Sequence, residues 1–281
     1  MSETPDCHTT IQEVKWTAET NPGRFRPNNE DAFLLVKFDL QELEYLGKVG
    51  ESQIESNQFI FAVSDGIGGA EAGEYASQSA LKSISKLISR KFHQGKKSIQ
   101  INHQELLTAF CEEIHNTIIE ISRYYQECRN MGATLSLGWV DGNRLHFAHL
   151  GDSRIYHIPA GQDMIQITED HTVAARKVRE GKLTPSEAKR DKSNHVLEKC
   201  IGSGKGFDQP QLGHVDLHPG DTLVFCTDGV TDGLSHHAIQ KTVVTPPPYL
   251  QKMIPSERIV RESLDASGRD NITTIVVEFM A

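Results

Sequence analysis

The chain has 281 residues, 37% hydrophobic and 24% charged, with a formal net charge of −9. It is long and apolar enough for one large domain or two small ones, which argues against a disordered polymer. The acidic balance, with only Lys96-Lys97 as a short basic cluster, argues against nucleic acid binding. Five dispersed cysteines, Cys7, Cys111, Cys128, Cys200 and Cys226, form no C-x-x-C pair. That argues against a disulfide framework or structural zinc and points to a reducing compartment. The first ten residues lack an apolar signal core, and no apolar run approaches transmembrane length. The expectation is a soluble cytoplasmic protein without membrane contact. It is expected to be a monomer, because no long unexplained apolar patch appears.

Residues 1–10 are expected to form a flexible tail. Ile11 to Thr17 alternates as a strand, and a turn-rich stretch from Asn21 leads to Glu30-Asp31 at the start of a second strand, Ala32 to Phe38. The polar segment 39–57 is expected to be a hairpin excursion. Phe59 to Val63 is a buried strand that stops at Ser64-Asp65-Gly66, with Gly68-Gly69 following. Two helices come next. Ala76, Ala80, Leu81, Ile84, Leu87 and Ile88 mark the first, and Leu107, Phe110, Ile114, Ile118 and Ile121 the second. A polar linker, His93 to Asn102, joins them, and His103 and His115 are expected at the surface. From Ala133 a meander begins, with strands Ala133 to Val140, Arg144 to Leu150, Arg154 to Ile158 and Met164 to Ile167. Residues 168–210 lose the strand pattern. Thr184-Pro185-Ser186-Glu187 opens a helix there with a capping box, which suggests a helical flap. Strands return at Gln211 to Leu217 and Thr222 to Cys226. Helices follow near Ser235 to Lys241 and Ser256 to Ser267, and Ile272 to Phe279 closes the chain.

Asp65, Asp152, Asp228 and Asp270 share one kind of position. Each borders a predicted apolar strand and has a glycine within two residues, and Glu30 and Asp31 add two acids at another strand start. Glycine at such a turn lets backbone approach a ligand closely, and carboxylates with carbonyls are hard oxygen ligands for Mg²⁺ or Mn²⁺. Clustered carboxylates repel one another and persist together with cations between them. Two such ions, about 3.5–4 Å apart, can activate a bridging water for in-line displacement at phosphorus. The alternative is a set of independent turn aspartates far apart in space.

Seven ordered blocks resemble the PPM family of metal-dependent serine/threonine protein phosphatases, the type 2C class, and its bacterial members above all. They are R-P-N-N-E-D at 26–31, V-S-D-G-I-G-G at 63–69, G-A-T at 132–134, H-L-G-D-S-R at 149–154, T-E-D-H-T at 168–172, P-G-D-T-L-V-F-C-T-D-G-V-T-D at 219–232 and G-R-D-N-I-T at 268–273. The resemblance implies an α+β fold, a four-layer αββα sandwich with two central antiparallel sheets, spanning 11–281 as one catalytic domain with a flap at about 168–210. It implies that Asp65 bridges two Mn²⁺ or Mg²⁺ ions. The Gly66 carbonyl completes one, and Asp228 and Asp270 bind the other. Asp152 matches a third-ion ligand, Glu30 and Asp31 hold metal-bound waters, and Arg26 grips the substrate phosphate, a task suited to a guanidinium. The implied reaction is hydrolysis of phosphoserine or phosphothreonine by a metal-bridging hydroxide, with no covalent intermediate. The implied partners are phosphorylated proteins, a serine/threonine kinase or its targets among them.

One position departs from many eukaryotic relatives, which read D-G-H-G-G. Ile67 stands here and cannot transfer a proton. His171 and His195 are candidates for that role, against the alternative of exposed or capping histidines. Two rival functions stand beside the phosphatase. A catalytically silent phosphoprotein-binding regulator would be expected to lack a metal aspartate or the arginine, and all are present. A two-metal phosphoesterase for small phosphoesters also fits, whereas no P-loop appears.

Overall fold

The computed structural model describes residues 10–39, 41–94 and 102–281. Two antiparallel sheets lie face to face at its centre. One has six strands, in the spatial order Ile165–Gln166, Arg154–Ile158, Thr222–Cys226, Ile272–Met280, Glu13–Asn21 and Val49–Gln53. Across the other run Ile201–Gly202, Gly132–Ala133, Gln58–Ile67, Leu135–Asp141, Arg144–Leu150 and Gln211–Asp216. Asp31–Phe38 also pairs with Gln58–Ile67, and Leu43–Tyr45 pairs with Asp31–Phe38. Helices Ala70–Gln94 and His103–Tyr124 cover this second sheet, and His236–Val244 and Pro255–Ala266 cover the first. The four-layer αββα sandwich expected from the motifs is the observed architecture.

The strand period of two explains how one apolar run serves three layers. Phe59, Phe61 and Val63 join the cluster between the sheets, while Ile60 and Ala62 join the cluster under the first two helices. All five are fully buried. Each large side chain so buried contributes about 1.5–3 kcal/mol. Leu223 and Phe225 likewise face the inter-sheet layer, and Val224 and Cys226 face the helices of the other side. A strand buried on both faces has no polar alternation to display, which is why these segments read as continuous hydrophobic runs.

Three sequence expectations change. The 39–57 segment is not a self-paired hairpin. Leu43–Tyr45 pairs with Asp31–Phe38 in one sheet, whereas Val49–Gln53 pairs with Glu13–Asn21 in the other, so the segment crosses between the layers. His115 is buried and its Nδ1 accepts from the Gly202 amide at 3.2 Å. His103 stacks on His146 with ring centroids 3.9 Å apart, its side chain largely covered. His115 is thus buried and His103 largely covered, so neither stands free at the surface. The expected tail falls on residues 1–9, and the expected linker in part on 95–101, all outside the described residues.

Within 168–210, helices Val173–Arg179 and Pro185–Ala188 form, and the Thr184–Glu187 capping box is present in both directions. No helix among the described residues is long and apolar enough to cross a membrane.

Candidate metal centre

The two sheets bring their functional strand ends to one edge. Asp31 and Asp65 are direct partners on neighbouring antiparallel strands. In the facing sheet, Thr222–Cys226 ends two residues before Asp228, and Ile272–Met280 begins two residues after Asp270, with Cys226 opposite Thr274. Asp228 is the first residue of a short helix, Asp228–Thr231, where the exposed amide ends favour negative charge.

Electrostatics shows which acids meet. Loss of solvent raises Asp65 well above the usual carboxylate range, and Asp31, Asp228, Asp152 and Asp270 add to the rise. Asp152 is buried and also raised, by burial and then by Asp228. Burial pushes Asp31 up to about 7, against the lowering effect of the Thr227 and Thr273 hydrogen bonds. Glu30 is raised too, by burial, while Arg26 pulls it down. Five carboxylates therefore share one site, with Glu30 at its border, and they share it at an electrostatic cost that divalent cations would remove. The alternative of scattered turn aspartates is overturned.

The donor set fits hard cations: carboxylate oxygens, and a carbonyl held open by missing side chains. A Cβ at Gly66 would collide with the Gly73 carbonyl oxygen and lie 2.9 Å from the Glu30 carbonyl oxygen. A Cβ at Gly73 would in turn collide with the Glu30 carboxylate and sit 3.0 Å from the Gly66 oxygen. The first turn of the Ala70–Gln94 helix thus presses against the strand end, and both glycines are needed for that approach.

Arg26 donates from Nη2 to Asp270 Oδ2 at 2.6 Å, with its side chain about half exposed at the rim. His195, in the 168–210 segment, approaches from the other side, its Nδ1 3.9 Å from Asp228 Oδ2. Asp228 pushes it up to about 9. His195, Asp228 and Asp232 each offer a ligand atom within 4.8 Å of the others. His171 is not brought to that side. It is buried, and burial together with His149 pushes it down to about 3, which makes its neutral ring a poor general acid. Two buried cysteines are poor nucleophiles. Burial pushes Cys111 and Cys226 up to about 12.

A sequence profile for protein phosphatase 2C matches residues 48–267. The chain belongs to the protein phosphatase 2C family. Over 259 residues it is 30% identical to protein phosphatase PhpP of Streptococcus pneumoniae, covering 92% of this chain and 94% of that one. Its fold matches the crystal structure of the Mycobacterium tuberculosis serine/threonine phosphatase PstP/Ppp with a TM-score of 0.76 at 26% identity, over 96% and 100% of the two chains. It matches the PstP catalytic domain in complex with two manganese ions with a TM-score of 0.73, again at 26% identity, over 96% and 99%. The chain is a serine/threonine protein phosphatase of the bacterial type.

Around this phosphatase 2C site lies a layer of hydrogen bonds that sequence reasoning missed. Thr134 Oγ1 accepts from the Asp65 amide at 2.9 Å, and the Thr134 amide donates to the Asp65 carbonyl at 2.8 Å. Thr227 Oγ1 donates to Asp31 Oδ2 at 2.7 Å and accepts from the Thr273 amide at 3.1 Å. Asn271 joins three segments. Its Oδ1 accepts from the Glu30 amide at 2.7 Å, and its Nδ2 donates to the Pro22 and Asn28 carbonyls at 2.9 Å. Each of these residues stands inside a quoted motif block, so the signal was present. A small polar residue beside an Asp-Gly pair looks like any turn former until its partner is known. Asp232 was passed over for the same reason. Loss of solvent and the Asp228 carboxylate raise it to about 6.

Proposed function

We propose that this phosphatase hydrolyses phosphoserine and phosphothreonine esters directly, at two divalent cations held by Asp65, the Gly66 carbonyl, Asp228 and Asp270. The observation that carries the proposal is the convergence of five carboxylates at one sheet edge, where burial and the Asp31, Asp228, Asp152 and Asp270 charges together raise Asp65. When bound, the cations supply Lewis-acid stabilisation of the phosphoryl oxygens and a water activated for attack on phosphorus. Asp65 would serve as a ligand to both ions. Glu30 and Asp31 orient water at the cation site, with Asp31 fixed by its Thr227 hydrogen bond.

Arg26 stands at the exposed rim, already aligned by Asp270, and its guanidinium offers further N–H groups to a phosphate arriving from solvent. Ile67 holds no proton for the leaving serine or threonine oxygen, so that proton comes from solvent or from a group outside the D-G-I-G-G turn. Burial raises the Cys111 and Cys226 thiols to about 12, so neither serves as a nucleophile, in keeping with attack by water and no phosphoenzyme. A third cation belongs at Asp152, with Asp228 and Asp232 beside it. Manganese, the ion of the PstP complex, suits this all-oxygen set, and magnesium suits it as well. The substrates are phosphorylated proteins, including a serine/threonine kinase or its targets.

The test is phosphate release from a phosphothreonine peptide with Mn²⁺ and with EDTA, for the natural sequence and Asp65→Asn. Release that needs metal and collapses in the variant is the expected result. No release from folded, metal-bound protein would sink the catalytic reading and favour a phosphoprotein-binding regulator.

A further inference from the structure

Asp152 owes its place to the turn Gly151-Asp152-Ser153, and that turn is gripped by residues 169–171, where the flap begins. Gly151 has φ +115°, and a Cβ there would lie 2.6 Å from Thr134 Cβ, so the turn has no freedom to relax through a side chain. Both polar backbone groups of Gly151 go to His171. The Gly151 amide donates to His171 Nδ1 at 3.2 Å, and the His171 amide donates to the Gly151 carbonyl at 2.7 Å. His149 braces the same carbonyl. Its Nε2 lies 3.0 Å from Gly151 O and 3.1 Å from Glu169 O.

Those contacts set both tautomers. A nitrogen facing two carbonyls carries the proton, so His149 is protonated on Nε2 and its Nδ1 accepts from Ser136 Oγ at 2.9 Å. His171 Nδ1 accepts an amide proton, so it is bare. The two neutral rings stack with centroids 4.9 Å apart. On the other side of Asp152, Arg154 makes a two-pronged bond to Asp170, at 2.8 and 2.6 Å. The His171 carbonyl accepts from the Glu198 amide at 2.7 Å, and Thr172 bridges Leu197, so the far arm of the flap closes onto the same residue.

We propose that His171 is a positioning residue that holds Asp152 for a cation and couples occupancy of that cation to the placement of the flap. The inference rests on the reading of Asp152 as a cation ligand. Coupling is reciprocal: if the flap position sets the Asp152 carboxylate, a cation there stabilises the flap by the same free energy. Removing a group that orients a ligand weakens metal binding by about 10–100-fold.

The experiment is a titration with Mn²⁺ followed by the electron paramagnetic resonance signal of the free ion, on folded protein. Asp152→Asn should lose the weakest class of bound Mn²⁺. His171→Leu should weaken that class by about 10–100-fold and leave the tighter ions unchanged. His171→Asn, whose amide oxygen can still accept from Gly151, should lose less. A folded His171→Leu protein with the wild-type isotherm overturns the proposal. An Asp152→Asn isotherm identical to wild type overturns the Asp152 reading and this inference with it, while the two-cation site survives. Absence of all Mn²⁺ binding would overturn the proposed function itself. If His171→Leu does not fold, amide exchange on the natural protein decides. Mn²⁺ filling the weak class should slow exchange at Gly151, His171 and Glu198, and unchanged exchange there overturns the coupling.

Discussion

Gly229→Ala tests whether the metal site depends on two backbones touching. A Cβ at Gly229 would collide with the Asn271 carbonyl oxygen and lie 3.0 Å from the Asn271 carbonyl carbon. Carbon atoms rest at about 3.5–4.0 Å, so the Asp228-Gly229 and Asp270-Asn271 backbones must part by about 0.5–1 Å. Metal–ligand distances tolerate about 0.2 Å, so the two aspartates would no longer suit the one ion proposed for them. Strain of this kind costs about 1–3 kcal/mol, and in a domain of this size each kcal/mol lowers Tm by about 2–4 °C. The variant should melt several degrees low, remain folded at 25 °C, and lose Mn²⁺ affinity and phosphate release together. Circular dichroism melts and a Mn²⁺ titration measure both effects. A Gly229→Ala protein with wild-type Tm and wild-type Mn²⁺ affinity would refute the close-approach argument.

Asp65→Asn removes a carboxylate from a crowded acidic site, so in EDTA it should melt above the natural protein, while metal-dependent turnover falls at least about 100-fold; a lower apo Tm would contradict the repulsion described. Arg26→Ala should lower kcat/KM for a phosphothreonine peptide by about 10–150-fold, the range for a lost charge-assisted hydrogen bond, with Tm nearly unchanged; equal kinetics would remove Arg26 from the phosphate site. His149 is buried neutral, its pKa pushed by burial from 6.5 down to about 4. The unfolded chain takes up that proton first as pH falls, so the contribution of His149 to stability is complete above about pH 6.5. It is lost toward pH 4 at up to about 1.4 kcal/mol per pH unit. Urea unfolding at pH 7 and pH 5 should show a smaller drop for His149→Asn than for the natural protein, and equal drops would contradict the burial argument. Thr227→Val strips the hydroxyl from Asp31 and should cost about 1–3 kcal/mol in urea unfolding; an unchanged midpoint would show that the bond to Asp31 is dispensable.

Most strand positions were legible because a strand buried on both faces is written locally, as a run such as Phe59 to Val63. The Asp-Gly endings were legible for a related reason. Gly66 and Gly229 stand where two backbones touch, and only glycine permits that. The 39–57 segment was misjudged because its polarity suits a solvent hairpin and a crossover equally, and the choice between them lies in distant partners, Trp16 and Val36 among them. His115 was misjudged because one histidine at the edge of an apolar stripe does not announce the Gly202 amide that it receives.

By itself the sequence determined the order and kind of the elements, the acids that end or begin strands, and the family motifs, since all of these are properties of neighbouring residues. Tertiary structure alone decided that Asp31 faces Asp65, that Asp228 and Asp270 join them from the other sheet, and that Asn271 ties loop 22–30 to the site. It also decided that His171 belongs to the Asp152 turn and His195 to the Asp228 side. Pairing register between strands tens to hundreds of residues apart sets these meetings. Register is chosen by which faces the sheets bury, a sum over the whole core that no local stretch contains.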